Sequence, residues 1–150
     1  MSIIWKYINK NAIAIEAIRD FENMRSIINN TPAEIKEKYY KLFSPASSKL
    51  SLFPKHRELN FTEALTVSLL DKIDILNERY RQAIEYMKWF EPAWSNLSDQ
   101  EQAVLSEFYS DNLRSGAAVR LMHKINYSER QIHRIREKAL RTLSTVLFGK

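Results

Sequence analysis

The sequence predicts an all-α protein. Its 150 residues include only two glycines and four prolines, which leaves little material for the many turns of an all-β fold. Long stretches without either residue carry apolar side chains every three or four positions, which is the spacing of one face of a helix. A chain of this length forms one domain with a substantial core, or a small domain with a helical extension.

The first helix is predicted to run from Ser2 to about Asn29, where two asparagines follow each other. Thr31 then has the character of a helix cap and Pro32 that of a first helical position, so a short helix is predicted to continue through Leu42. The side chains available to one broad apolar face of the first helix are Ile4, Ile8, Ile15, Ile18, Phe21, Met24 and Ile28.

A loop and a second long helix are predicted to follow. Residues 44–60 hold two prolines and several serines but few periodic apolar residues, which predicts a mobile loop. Asn60 or Thr62 is expected to cap a helix that ends near Phe90 and is roughly 40 Å long. Steps of four and three residues mark a heptad seam on this helix, formed by Leu69, Ile73, Leu76, Tyr80, Ala83, Met87 and Phe90.

This seam needs a partner, and the sequence leaves two open. The first helix can fold back on it as an antiparallel hairpin, or the same helix of a second subunit can pair with it. Both hold if two hairpins form a four-helix dimer. We therefore expect residues 1–93 to be a helical hairpin that serves oligomerisation.

A separate domain is predicted over residues 94–150, because Glu91 and Pro92 break the second helix. Ser98 and Glu101 have the spacing of a capping box, which starts the first helix of this domain. Trp94 is expected to be a packing anchor between the hairpin and the domain.

A helix-turn-helix is predicted within this domain. A helix from about Ala117 ends at Ile125, and Asn126 can adopt the left-handed conformation of a tight turn. Ser128 can cap the next helix, which begins at Glu129. The second helix of such an element is the one that enters the major groove of DNA.

The two faces of this last helix differ in chemistry. Counted at about 100° per residue, its apolar side chains fall within an arc of roughly 140° that we expect to be core. They are Ile132, Ile135, Ala139, Leu140, Leu143, Val146 and Leu147. Arg136 also lies inside this arc, and a structural ion pair with Glu101 or Glu107 is predicted for it.

The opposite face is basic. Arg130, Arg134 and Arg141 cluster at its pole, and His133, Glu137 and Lys138 lie on its flanks. Because arginine matches guanine O6 and N7 and glutamine matches adenine N6 and N7, bases are predicted to be read by Arg130, Gln131, His133 and Arg134. Phosphate contacts are predicted for Arg114, Arg120, Lys124, Ser128, Lys138 and Arg141.

These residues also carry a resemblance. The pattern consists of Leu97-Ser98-Asp99-Gln100-Glu101, Val104-Leu105, Tyr109, Leu121, Ile125, Ser128, Ile132, Ile135, Lys138-Ala139-Leu140 and Leu143. Over roughly the last 50 residues it is similar to the region of bacterial sigma factors that binds the promoter −35 element. In sigma factors the start of the last helix touches DNA, so the resemblance implies base contacts by Glu129, Arg130, Gln131, His133 and Arg134.

The whole chain resembles a second group of proteins. Its order is a helical hairpin, then Phe90-Glu91-Pro92-Ala93-Trp94, then the sigma-like tail. This order is similar to small helical regulators encoded by phages and prophages of Gram-positive bacteria, among them the ArpU and RinA type late-transcription activators.

Positive charge is concentrated in the tail. From Leu113 to Lys150 nine Lys or Arg stand against two Glu, a net +7, while the first 112 residues are at −2. This distribution favours a nucleic-acid partner. The chain has no cysteine, so a reducing cytoplasm is the expected setting. No export or membrane segment is expected, because Lys6, Asn9 and Lys10 interrupt the apolar start.

Nothing in the sequence predicts an enzyme. His56, His123 and His133 are scattered, and no carboxylate spacing makes a metal cage. A phosphate loop requires closely spaced glycines, and Gly116 and Gly149 are far apart. No nucleophile stands beside a partnered base. We therefore expect no catalysis, no metal and no cofactor.

The sequence thus predicts a sequence-specific regulator that binds double-stranded DNA through the helix beginning at Glu129. The N-terminal hairpin is expected to make a homodimer or higher oligomer, or to present the chain to RNA polymerase. Two alternatives stay open. A phage DNA-packaging recognition subunit, of the small-terminase type, also joins a helix-turn-helix to an oligomerising helical segment and forms a ring. A protein-interaction module would use the sigma-like tail to bind polymerase or another regulator without touching DNA.

Overall fold

The computed structural model describes residues 8–43, 56–110 and 115–149. All regular structure in these three ranges is helical, which confirms the all-α prediction. In chain order the helices are α1 (Lys10–Phe43), α2 (His56–Ser95), α3 (Asp99–Tyr109), α4 (Ala117–Ile125) and α5 (Glu129–Phe148).

α1 is one continuous helix, where two helices were predicted. The predicted end at Asn29 is wrong, and Pro32 lies inside the helix. A proline in a helix interior removes a backbone hydrogen bond and costs about 3 kcal/mol. Thr31, expected to be a cap, is instead buried inside the helix at 3% exposure. The part of the prediction that falls on residues 2–7 lies outside the described residues.

α2 begins earlier than predicted. It starts at His56, so a cap at Asn60 or Thr62 is wrong and residues 56–60 of the predicted loop are helical. The rest of that loop, residues 44–55, lies outside the described residues.

α2 also ends later than predicted, because it passes through Pro92 and ends at Ser95. Phe90 and Ala93, on either side of the proline, are buried at 0% and 2% exposure. Their packing holds the helix together where the local sequence favours a break.

The chain divides into two compact units, Met1–Met24 with Tyr86–Lys150 and Arg25–Glu85. The predicted domain boundary between residues 93 and 94 falls inside the first of these units. The beginning of α1 and the end of α2 therefore belong to the same unit as α3, α4 and α5.

In the second unit the predicted seam is the covered face of α2. Ile73 and Ala83 are buried, and Leu69, Leu76 and Tyr80 are half-buried, which confirms the heptad pattern. The covered positions of α1 in this unit are Ile27, Ile28, Thr31, Ile35, Lys38 and Leu42. From Ile28 onward they also recur in steps of three and four. Both helices thus carry a seam, and the pairing of the seams within or between chains stays a prediction.

The main core of the first unit combines residues from both ends of the chain. Phe90 of α2 stacks on Trp94 with 5.6 Å between ring centroids and contacts Phe21 of α1 at 5.3 Å. Trp94 is therefore a packing side chain, as predicted. The buried members of this cluster are Ala14, Ala17, Ile18, Phe21, Phe90, Ala93, Leu97, Leu105, Ala139, Leu140 and Leu143.

Two hydrogen bonds connect the start of α1 to the end of α5. The Ser144 hydroxyl donates to Asn11 Oδ1 at 2.8 Å, and Lys10 Nζ donates to the Gly149 carbonyl at 3.2 Å. α5 is thus held at its C-terminal end by the first helix of the chain, in addition to the contacts that it makes with α3 and α4.

Candidate nucleic-acid interface

A second cluster of the first unit holds α3, α4 and α5 together. Val104 of α3, Leu121 of α4 and Ile132 of α5 are buried in it. The half-buried side chains packed around them are Phe108, Ile125 and Ile135. Each helix uses one face in this contact, so the opposite face of α5 is left to solvent.

The connection between α4 and α5 has the geometry predicted for it. Asn126 ends α4 in the left-handed conformation, with φ 53° and ψ 34°, which a short polar side chain tolerates better than a bulky one does. Ser128 is extended, with φ −68° and ψ 154°, and caps α5. Both local predictions are confirmed, and only Asn126, Tyr127 and Ser128 separate the two helices.

Gln131 completes this cap, a role that the sequence analysis did not assign to it. Its backbone N–H donates to Ser128 Oγ at 3.3 Å. Its Oε1 accepts from the Ser128 backbone N–H at 2.9 Å and from the Ser128 hydroxyl at 3.0 Å. The signal was present, because Ser128 and Gln131 have the capping-box spacing of Ser98 and Glu101.

The cap affects the predicted base contact of Gln131. Bidentate pairing with adenine requires the carboxamide oxygen to accept from N6 while the nitrogen donates to N7. In the structure both lone pairs of that oxygen are used by Ser128. Gln131 can therefore read adenine in this way only by giving up bonds of the cap.

Four exposed cations follow one another along α5, and we call them the basic stripe: Arg130, Arg134, Lys138 and Arg141. At about 100° and ~1.5 Å per residue, they lie within an arc of about 80° and extend over roughly 16 Å. Within the described ranges none of the four forms an ion pair with a carboxylate. Glu137 is also exposed, about 20° outside this arc on the Arg130 side. The charge of the stripe is thus available to an outside partner.

His133 lies on the flank of α5 that meets α3. Its ring centroid is 5.8 Å from that of Phe108, at an interplanar angle of 48°. One turn back, Glu129 Oε1 lies 3.6 Å from His133 Nε2, which is an ion pair when the histidine is protonated. His133 is half-buried, whereas Glu129, Arg130 and Arg134 are exposed. The predicted base-reading residues therefore lie in different environments. Gln131 is in the cap, His133 is on the flank, and Arg130 and Arg134 are on the basic stripe.

The predicted ion pair of Arg136 is wrong. Its guanidinium carbon lies 4.8 Å from the centre of the Phe108 ring, a cation–π contact. Glu101 is engaged in the capping box of α3, where it accepts from the Ser98 backbone N–H at 3.0 Å. Glu107 binds cations of α4 instead. The helical wheel identified the covered position of Arg136, but not which residue of another helix would meet it.

Glu107 joins α3 to α4 through two cations. Arg120 donates to one of its carboxylate oxygens, and Lys124 donates to the other at 3.2 Å. Arg120 also donates to the Ser115 carbonyl at 2.8 Å. The hydrogen bond from Arg120 is the main reason why the pKa of Glu107 lies below its usual value. Only 19% of the Glu107 side chain is exposed, so solvent screens this cluster weakly.

The predicted phosphate contacts are therefore not equivalent. The Arg120 side chain is 32% exposed and bound on α3, whereas 63% of Lys124 is exposed although it shares the same carboxylate. The Ser128 hydroxyl is part of the cap. Lys138 and Arg141 are exposed and belong to the basic stripe. Arg114 lies outside the described residues.

The C-terminal part of α5 is covered on a different side than the helical wheel predicted. Val146 was expected in the core and is 48% exposed, so that prediction is wrong. Ser144, outside the predicted apolar arc, is buried beside Asn11. Phe148 packs on Trp89 of α2 with 5.7 Å between ring centroids. Contacts from α1 and α2 shift the covered face, so the free polar face lies toward the N-terminal end of α5.

Among the described residues no group of three or more His, Cys, Asp or Glu side chains could hold a metal ion. Over the same part of the chain, no helix combines the length and the apolar character needed to cross a membrane.

Comparison of the chain with protein-family models, curated proteins and solved structures finds no match. Function is therefore inferred from the residues themselves.

Proposed function

We propose that the protein is a sequence-specific transcription regulator of the phage or prophage type that binds double-stranded DNA. In this proposal α4 and α5 form a helix-turn-helix and α5 enters the major groove. The observation that carries it is the basic stripe, four exposed cations on the polar side of a helix whose other side is buried in a core. A phosphate-rich partner is the natural complement of such a surface.

The dimensions of α5 suit the major groove. A helix with its side chains is about 10–12 Å across, and the groove is about 12 Å wide. The stripe, roughly 16 Å long, spans about five base-pair steps of ~3.4 Å. The capped N-terminal end also carries the positive end of the helix dipole, which favours approach to phosphate.

We divide the stripe into two halves. Arg130 and Arg134 lie in the first two turns of α5, the part that reaches base edges in helix-turn-helix proteins. Arginine there can pair bidentately with guanine. Lys138 and Arg141 lie further along the helix, and we assign them to phosphates, where they set register and affinity without choosing a sequence.

The other predicted base contacts act from the edges of this surface. Glu129 is exposed in the first turn, and a carboxylate accepts from the cytosine amino group. His133 offers a ring nitrogen from the flank. We assign Gln131 to the cap rather than to a base, because its carboxamide oxygen is engaged there.

On α4 the two cations bound by Glu107 receive different roles. Lys124 is the phosphate contact that we retain, since most of its side chain is exposed. Arg120 stabilises the packing of α4 on α3 and is held by Glu107 and the Ser115 carbonyl. This division keeps the α3–α4 geometry intact when DNA is bound.

Paired helix-turn-helix proteins read half-sites about 34 Å apart, one turn of the duplex. The seams of α1 and α2 in the second unit are our candidates for this pairing, either as a hairpin that dimerises or as direct contacts between subunits. The same helices are proposed to present the protein to RNA polymerase, and the cytoplasm is the proposed setting.

Sequencing of the genomic fragments that the purified protein retains at about 0.15 M salt tests the proposal, because non-specific phosphate binding is weak there. We expect enrichment of one palindromic or repeated site. A variant with Arg130→Ala and Arg134→Ala should stay folded and lose the enrichment, while Arg79→Ala, exposed on α2, should keep it. No enrichment with a folded wild-type protein would overturn the proposal and favour a protein-interaction role for the same surface.

A further inference from the structure

Phe108 of α3 touches two side chains of α5. Its ring lies 5.8 Å from the ring of His133, centroid to centroid, and its centre lies 4.8 Å from the guanidinium carbon of Arg136. His133 and Arg136 are three residues apart, so this one ring contacts one edge of α5 over nearly a full turn. Phe108 is itself half-buried against the second cluster, so the core fixes the position of the ring.

We propose that Phe108 is a positioning residue, which fixes the His133 ring in the orientation that meets bound DNA. The inference rests on the DNA binding by α5 proposed above and goes beyond it by naming a determinant of specificity outside the helix-turn-helix. Phe108 acts through His133 and does not contact a base, because it lies on α3 and is partly covered by Arg136.

The physical reason is the freedom of an imidazole on a helix surface. An unrestrained histidine samples several rotamers, and a base contact requires one of them. In the structure the His133 ring contacts Phe108 on the adjacent helix, and the Glu129 carboxylate lies one turn back, with its Oε1 3.6 Å from Nε2. A side chain ordered before binding loses less conformational entropy when the complex forms.

Arg136 provides a matched control, because its guanidinium contacts the same Phe108 ring. Arg136→Met removes the cation from the Phe108 ring and leaves the Phe108–His133 contact in place. Phe108→Leu removes the ring and keeps an apolar side chain for the second cluster, whereas Phe108→Tyr keeps the ring.

The first test needs no DNA. NMR of the free protein measures the ring-proton shifts of His133, which a neighbouring aromatic ring displaces. We expect displaced shifts in the wild type, in Phe108→Tyr and in Arg136→Met, and shifts near those of an unstructured peptide in Phe108→Leu. The backbone amide spectrum of α4 and α5 reports that each variant is folded. Unchanged His133 shifts in folded Phe108→Leu would overturn the proposal.

The second test measures discrimination between the selected DNA site and single-base variants of it. Phe108→Leu is expected to lower the preference at one base pair roughly three- to tenfold, Phe108→Tyr to retain it, and the double variant with His133→Ala to lose no more than His133→Ala alone. Equal weakening on every sequence would contradict a positioning role. If the wild type prefers no site, the proposed function fails, and the His133 shifts alone decide whether Phe108 orders the ring.

Discussion

Ser144 on α5 donates a hydrogen bond to the Asn11 carboxamide oxygen on α1, across 2.8 Å and 133 positions of sequence. Ser144 is buried at 5% exposure. The helix proposed to read DNA is therefore tied at its C-terminal part to the first turn of the first described helix. Its orientation depends on residues far outside the predicted helix-turn-helix.

Ser144→Ala is expected to lower the free energy of unfolding by about 1 kcal/mol, the net contribution of one hydrogen bond. Urea unfolding measures the change. A double-mutant cycle with Asn11→Ala should give a coupling energy of similar size, and zero coupling would show that the bond carries no stability. Thr145→Ala is the control, since that exposed hydroxyl bonds the Arg141 carbonyl of its own helix and should matter little.

Two isoleucines on α1 test whether this helix belongs to the core of the first unit. Ile18 is 1% exposed in the main core and Ile13 is 36% exposed. Ile18→Ala should lower the free energy of unfolding by about 2–5 kcal/mol, while Ile13→Ala should cost well under about 1 kcal/mol. Thermal unfolding should show one transition that shifts for Ile18→Ala. Equal effects of the two changes would contradict the core described for α1.

The sequence predicted the elements whose causes are local. Asn126 needs only its own side chain to favour a left-handed turn, and Ser128 caps a helix through an N–H three residues away. The spacing of the apolar residues of α2 likewise predicted its seam. The spacing of Arg130, Arg134 and their neighbours along α5 predicted the basic stripe.

The predictions were wrong where contacts between residues distant in sequence determine the helix ends or the burial of a side chain. Pro32 and Pro92 favour helix ends locally, yet both lie inside helices because packing outweighs the lost hydrogen bond. Arg136 stacks on Phe108, and Val146 is exposed because other helices cover a different side of α5. The exposure of a cation on a basic surface also depends on the carboxylates of neighbouring helices. Glu107 of α3, for example, binds Arg120 of α4.

Glu107→Gln should change stability in a pH-dependent way. Because the Arg120 hydrogen bond lowers the pKa of Glu107 from its usual 4.5 in the folded protein, the ion pair stabilises the fold fully above the unfolded pKa. That stability is lost as the pH falls through the lower, folded pKa. We expect Glu107→Gln to lower the free energy of unfolding by about 1–2 kcal/mol at neutral pH. Its difference from the wild type should shrink below about pH 4.5.

Glu78→Gln is the matched control for this experiment. Glu78 also bonds an arginine, Arg81, at 2.6 Å, and this bond lowers its pKa to about 2. Both side chains are about half exposed and lie on the surface of α2, where solvent screens the pair. Little change in stability is expected at any pH. A pH-independent effect of Glu107→Gln would show that packing rather than charge holds α3 to α4.

Arg134→Ala and Lys138→Ala separate base reading from phosphate binding. Arg134→Ala is expected to cost about 1–3 kcal/mol on the preferred site and to relax preference at one base pair. Lys138→Ala should weaken all sequences alike and reduce the slope of log affinity against log salt by about 1. Titration of the preferred site and scrambled DNA at several salt concentrations measures both. Identical losses on both DNAs for the two variants would refute the division of the stripe.

Gln131→Glu distinguishes the cap from a base contact. A glutamate can accept the same bond from the Ser128 N–H, as Glu101 does from Ser98 in α3, and a negative charge favours a helix N-terminus. Stability should therefore stay within about 0.5 kcal/mol of the wild type, while DNA affinity falls on all sequences because a negative charge is added to the end of α5 that is proposed to approach DNA.

Gln131→Ala completes the comparison, since it removes the side-chain half of the cap and should lower the free energy of unfolding by about 0.5–1 kcal/mol. If Gln131 holds only the cap, Gln131→Ala leaves the base preference of the folded protein unchanged, because the bidentate adenine pair was never formed. Loss of preference for an A·T pair in folded Gln131→Ala would show that Gln131 contacts a base. The capping bond would then have to open when DNA binds, since the same oxygen serves both contacts.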